Sequence, residues 1–330
     1  MSEERLKILR FSSADGGSTF ADDVRRGLTS EPKFLLPKYF YDALGSHLFE
    51  AICHLPEYYP TRAELEILRA ENRAVIELTA PQRLIELGSG SSRKTHLLIE
   101  AILSRQSSLH YLPIDISPSA LERSAKELLQ VFPGLSITGI CADYLTALDE
   151  LARQPSDEPT LVIFLGSSIG NLDPAESRSL LRHIRGLLRG GDCFLLGADL
   201  KKSPEVLIPA YDDPLGVTAA FNLNLLVRIN RELGGEFQLD RFRHRTVYDE
   251  KEGRIELYIV SREAQAVPIR GLDLIVELGG GELIHTENSY KYDLGQLESL
   301  AQATGFELTA GWFDGERRFS VSLLRAGASG

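Results

Sequence analysis

Between Leu84 and Lys94 the chain reads Leu-Ile-Glu-Leu-Gly-Ser-Gly-Ser-Ser-Arg-Lys, an apolar strand end that runs into a glycine turn and then into a helix. A dinucleotide site spaces its glycines as GxGxxG, so that a pyrophosphate reaches the helix N-terminus. Here Arg93 stands where the third glycine would fall, and a pyrophosphate fits poorly. The shorter turn, with Gly88 at its start and Lys94 one turn into the helix, suits a smaller anion such as an amino-acid carboxylate. S-adenosylmethionine (SAM) carries one. A purely structural tight turn would use the same glycines.

Two further acids sit where such a ligand would need them. Asp115 ends the next apolar run, a position where a carboxylate accepts hydrogen bonds from ribose hydroxyls. Asp143, in Cys-Ala-Asp-Tyr at the end of the third run, is placed to meet an adenine amino group. Either aspartate alone is what any loop start can carry. Suitable groups at three successive strand ends argue for one shared ligand.

The elements that must position these groups alternate. Apolar segments at 83–90, 109–117, 135–144, 160–171 and 193–200 read as strands, and the stretches between them carry apolar residues at helical spacing. Ser117-Pro118 and Asp173-Pro174 with Glu176 are helix starts. Strands alternating with helices predict an α/β fold with a doubly wound, mostly parallel, Rossmann-like sheet, whose ligands bind at the carboxyl ends of the strands. From about residue 201 the pattern changes to a long helix and antiparallel segments, predicting a second α+β subdomain. The closing segment from Phe306 reads as a hairpin able to extend the main sheet.

Composition narrows the partners. With 330 residues, 43% of them hydrophobic, the chain can bury a large core. A formal net charge of −11 disfavours nucleic acid and anionic membranes, leaving a small molecule as partner. Three cysteines without CxxC spacing offer no disulfide framework and no cysteine metal site. With no signal peptide or membrane span evident, a cytoplasmic monomer without a metal is expected.

Five segments then carry a resemblance: the run from Tyr39 to Leu68, Glu86 to Thr95, Phe164 to Leu172, Ala210 to Asn222, and Ile284 to Tyr292. Over nearly the whole chain they resemble the SAM-dependent L-histidine Nα-methyltransferases of ergothioneine biosynthesis. The resemblance implies a SAM-binding methyltransferase domain at 62–200 plus 290–330 and a substrate-binding domain at 1–61 plus 201–289. It assigns Gly88 and Lys94 to the SAM carboxylate side, Asp115 to the ribose, Asp143 to the adenine and Gly166 to the methionine portion. It assigns Asn171, Tyr58 and Tyr211 to the carboxylate and amine end of the amino acid, Tyr41 to the reacting centre, and Glu287 with Ser289 to the imidazole.

The implied activity is successive methylation of the L-histidine α-amine to trimethylhistidine (hercynine). Glu287 and Ser289 alternate on an extended segment and so share a face, where a carboxylate would accept a ring N–H. Phe221 and Asn222 are candidates to line the cavity of the methylated ammonium. One departure is Leu257, where the family is expected to carry methionine beside the ring; the exchange conserves volume. Methylation of another amino acid or amine, and SAM binding without turnover, are the alternatives.

Overall fold

The computed structural model describes residues 5–11, 18–89 and 93–327, so Gly90, Ser91 and Ser92 of the glycine turn lie outside the described residues. The chain divides into two compact units, Met1–Gly17 with Ala63–Leu200 and Tyr292–Gly330, and Ser18–Arg62 with Lys201–Lys291. Elements are numbered along the whole chain.

The first unit is built on an eight-stranded sheet of order β1-β5-β4-β3-β6-β7-β14-β13. Its strands are β1 (Leu6–Arg10), β3 (Arg83–Leu87), β4 (Leu109–Asp115), β5 (Leu135–Cys141), β6 (Thr160–Phe164), β7 (Cys193–Asp199), β13 (Phe306–Phe313) and β14 (Phe319–Ala326). The first six are parallel, while β14 pairs antiparallel with both β7 and β13. The sheet is buried on both faces because its central strands are apolar at nearly every position. On β3, Leu84 packs with α3 (Pro60–Thr79), α4 (Arg93–Leu103) and α5 (Pro118–Val131), whereas Ile85 and Leu87 pack with α6 (Tyr144–Ala152), α7 (Pro174–Leu187) and α10 (Leu294–Ala303). The helix starts follow their sequence signals: Ser117 caps α5 ahead of Pro118, and Asp173 with Glu176 closes a capping box on α7.

The N-terminal segment corrects the sequence reading. Residues Leu6–Arg10 were expected with the substrate-binding part, yet β1 pairs parallel with β5 and belongs to the large sheet. A parallel edge strand about 130 residues from its partner leaves no turn signal to betray the pairing.

The second unit holds α1 (Phe20–Thr29), β2 (Lys33–Phe34), α2 (Ala43–Ile52), α8 (Pro204–Tyr211), α9 (Val217–Leu233), β8 (Phe242–Asp249), β9 (Arg254–Ser261), β10 (Gln265–Ile269), β11 (Leu274–Leu278) and β12 (Leu283–Tyr290). Its four-stranded sheet runs β2-β12-β9-β8, and β10 and β11 form a separate hairpin. The inner face of this sheet, with Ile255, Leu257 and Ile259 of β9, packs in one core with Leu225, Leu226 and Ile229 of α9. In the β9/β12 register Leu257 lies opposite Glu287, and Ile255 opposite Ser289.

Candidate active site

In the first unit the strand-end groups are held by the backbone. Gly88 follows β3 with φ +72°, and a Cβ there would lie 2.6 Å from the Tyr144 hydroxyl. Gly166 follows β6 with φ +81°. Both backbones are left-handed, which favours glycine. Asp115 ends β4 and accepts from the Ser117 amide at 2.9 Å, which fixes the direction of its carboxylate. Asp143 is exposed and caps α6, accepting from the Thr146 amide at 3.0 Å and hydroxyl at 2.7 Å. Its place at the strand end thus has a helix-capping cause as well.

Lys94 is not a lone cation. Its Nζ is ion-paired with Glu64, whose side chain is fully buried, and both Glu64 oxygens accept from the Gly166 amide at 2.8 and 2.9 Å. Gly197 on β7 makes room for that carboxylate, since a Cβ there would sit 2.0 Å from Glu64 Oε1. The pair joins α3, α4 and the β6 turn, and its ammonium stands at Gly166, where a Cβ would lie 3.3 Å from Nζ. Sequence reading missed Glu64. The signal was available: Glu64 falls on the apolar stripe of α3 with Ala63, Ile67 and Leu68, where a carboxylate needs a partner. At the end of β3, Glu86 is buried and accepts from the Thr95 and Tyr111 hydroxyls, and burial pushes its carboxyl up to about 7. Asn171 closes the short 3-10 turn Ser168–Asn171 that follows Gly166 in this unit.

In the second unit the structure brings together Tyr41, Tyr58, Tyr211, Glu287 and Ser289. The Tyr58 and Tyr211 rings meet edge to face at 6.1 Å, and Tyr58 also meets Phe49 at 6.2 Å. Tyr41 packs against Phe49 and Phe221 at 5.5 and 5.7 Å and is 41% exposed. Burial, reinforced by Tyr211, Cys53, Tyr41 and Glu287 nearby, drives the Tyr58 phenol well above its ordinary range, so it stays protonated. Glu287 is buried, with 7% of its surface exposed. The Tyr211 hydroxyl bonds the Ser289 hydroxyl at 2.9 Å, joining two residues that the resemblance assigns to opposite ends of the substrate.

The Tyr211 main chain is held in turn. Its carbonyl, at the end of α8, accepts from His244 Nε2 and from the Thr246 hydroxyl, both at 2.8 Å. His244 Nδ1 faces the Asn222 amide donor at 2.8 Å, so the ring is neutral with its proton on Nε2, and burial lowers its pKa. Phe221 joins the aromatic cluster, but Asn222 does not. Its amide donates to His244 and to the Tyr258 carbonyl, because successive helical residues point about 100° apart.

Residues 20–326 match the family model described as histidine-specific methyltransferase, SAM-dependent. The chain belongs to that family. It is 40% identical to the histidine N-alpha-methyltransferase of Mycolicibacterium smegmatis, across 96% of this chain and 98% of that protein. It is 42% identical to the enzyme of the same name from Mycobacterium tuberculosis, across 97% and 99%. A solved Thermobifida fusca structure, whose name assigns it provisionally to the methyltransferases, shares the fold with a TM-score of 0.50 at 14% identity, across 92% of this chain and 98% of that one. The protein is thus a SAM-dependent methyltransferase enzyme acting on a small molecule, and its α/β sheet is that of the methyltransferases. Within this methyltransferase, the backbone at Gly88 and Gly166 and the directed carboxylate of Asp115 are groups of the kind an amino-acid nucleoside requires. Among the described residues no helix is long and apolar enough to cross a membrane.

Proposed function

We propose that this enzyme methylates the α-amine of L-histidine three times in succession, giving hercynine, the first step of ergothioneine synthesis. The observation that carries the choice of substrate is the Glu287 and Ser289 pair on one face of β12, in a chain 40% and 42% identical to two histidine N-alpha-methyltransferases. A buried carboxylate beside a hydroxyl suits a ring that offers N–H. An indole, a donor only, matches one member of the pair, and a phenol presents its donor and acceptor at a single atom rather than on two sides of a ring.

SAM, when bound, supplies a methyl group already activated on a sulfonium. In this reading Asp115 holds the ribose, Asp143 the adenine, and the Gly88 and Gly166 turns the methionine portion, with Lys94 and Glu64 fixing the second turn. Asn171, Tyr58 and Tyr211 hold the carboxylate and amine end of histidine. The chain's main task is placement, which supplies on the order of 7–11 kcal/mol of a bimolecular barrier. The amine must be neutral to attack; its proton leaves to solvent, and half-exposed Tyr41 orients the amine by accepting a hydrogen bond from it directly or through a water. The faces of Tyr41, Phe49 and Phe221 suit a cation that grows with each methyl group. In the same reading the first unit takes SAM, the second supplies most of the groups for the amino acid, and the protein works as a cytoplasmic monomer without nucleic acid or membrane.

The test is incubation of the pure protein with SAM and a panel of amino acids, with products read by mass. Histidine should gain one, two and then three methyl groups. Methylation of tryptophan or tyrosine in preference to histidine, or binding of SAM without turnover, would overturn the proposal.

A further inference from the structure

Lys291 follows β12 and is 2% exposed, a costly place for an ammonium. Its Nζ donates to the Ser289 hydroxyl at 2.8 Å and to the Tyr211 hydroxyl at 2.7 Å, and lies 4.5 Å from the centre of the Tyr211 ring. With the 2.9 Å bond between the two hydroxyls, the three groups close a triangle. Lysine has donors only, so both oxygens must accept from it. The phenol, with an ordinary pKa of about 10, is a far stronger acid than an aliphatic hydroxyl and is the better donor across the third side. Ser289 Oγ then accepts twice, which fills its two lone pairs, and its own proton must point out of the triangle. Ser289 is left as a donor and nothing else.

Two residues before it on the same face, at a rise of about 3.3 Å per residue, stands the Glu287 carboxylate, an acceptor. The two nitrogens of an imidazole point away from each other in the ring plane, so partners on either side, about 6.6 Å apart along a strand, can take one each. We infer that Lys291 is a positioning residue that sets Ser289 as a donor opposite the Glu287 acceptor, so that the site reads the neutral imidazole, with one N–H and one bare nitrogen, and rejects the imidazolium. This inference rests on histidine being the substrate.

The charges around the ring agree. An imidazolium would meet Glu287 on one side, but on the other it would press a second N–H against the Ser289 proton, with the Lys291 ammonium behind it. Tyr211 from α8 is part of this end, and Tyr58, which meets its ring edge to face, has Tyr41, Cys53 and Glu287 around it, while His244 is neutral and turned to the Tyr211 carbonyl. β9 faces it with apolar Ile255 and Leu257, while Arg254 and Glu256 pair at 2.6 Å with each other. The sequence carried a trace of this role, since Lys291 continues the period-two spacing of Glu287 and Ser289.

Calorimetry on the full chain saturated with S-adenosylhomocysteine tests it, with L-histidine and 1,2,4-triazolylalanine as probes between about pH 5 and 8. The triazole ring stays neutral throughout, while the free imidazole titrates at about 6.5. For the wild-type enzyme the histidine Kd should rise by about tenfold per pH unit below that value, with the triazolylalanine Kd level. Lys291→Met should weaken histidine binding and flatten or invert its acid slope, because Glu287 then favours the charged ring unopposed. Should that variant not fold, Ser289→Ala removes the donor itself and should flatten the slope. A wild-type histidine Kd that stays level or falls toward acid overturns the inference. So does a folded variant that weakens both probes equally at an unchanged slope, which is the mark of a merely structural lysine. If histidine is methylated in the product assay, such results sink this inference alone; if histidine does not bind at any pH, the substrate proposal falls with it.

Discussion

Glu287 was legible because a strand's side chains alternate: spacing alone put it and Ser289 on one face, and the structure keeps both buried there. Their shared face also holds Leu257, opposite Glu287 on β9, so the position where the family is expected to carry methionine abuts the pair proposed to bind the ring. Glu287→Ala should raise the KM for histidine by roughly ten- to a hundredfold, as removal of one charged hydrogen bond predicts, with the KM for SAM nearly unchanged. Steady-state kinetics with each substrate varied in turn checks this; equal rises would assign Glu287 to the fold instead. For the cofactor, Asp115→Ala should weaken SAM by a similar factor, and calorimetry showing unaltered affinity in a folded variant would remove the ribose assignment. Glu64 stayed hidden because its partners, Lys94 and Gly166, lie 30 and 102 residues away, and no spacing rule relates them.

At the level of elements, the parallel strands and their helices were legible because the central strands are apolar almost throughout and most of the helices carry their own cap. The hairpin of β13 and β14 was read as well, and it does extend the main sheet. Short pieces without local signals were not: β1 and the two-residue β2 exist only through pairing with distant strands. The turn after β3 makes a testable element. Gly88→Ala incurs about 1–2 kcal/mol for a left-handed backbone and also drives a methyl group into the Tyr144 hydroxyl. SAM affinity should fall at least tenfold, and thermal stability should drop. Adding Tyr144→Phe removes the clash but not the backbone strain, so the double variant should regain part of the lost stability. If it regains none, the contact with Tyr144 does not shape this turn.

For the molecule as a whole, the resemblance motifs fell in both units, and what they could not convey was how buried charge would balance across the fold. One buried and two half-buried groups in particular set how stability responds to pH. Burial raises Glu86 from 4.5 to about 7, while burial lowers both His110 and His244 below 6.5. The signs oppose. Glu86 favours folding when protonated, so its contribution is complete below pH 4.5 and is lost as pH rises toward 7. The two histidines favour folding when neutral, so theirs is complete above pH 6.5 and is lost as pH falls below it. Between about pH 5 and 6.5 the two effects offset each other, and the wild-type stability curve should be shallow there. Glu86→Gln removes the falling limb while keeping an oxygen that accepts from one hydroxyl. Chemical unfolding followed by fluorescence of Trp312, the only tryptophan and a residue of β13 in the same unit as Glu86, reads the relevant core. As pH rises from 4.5 to 7, the variant should gain on the wild type by up to about 3 kcal/mol, because each pH unit crossed between the unfolded and folded pKa is worth about 1.36 kcal/mol. A difference between the two proteins that stays constant across that window would mean that Glu86 is ionised in the fold at every pH tested, and that Thr95 and Tyr111 stabilise its charge rather than its proton.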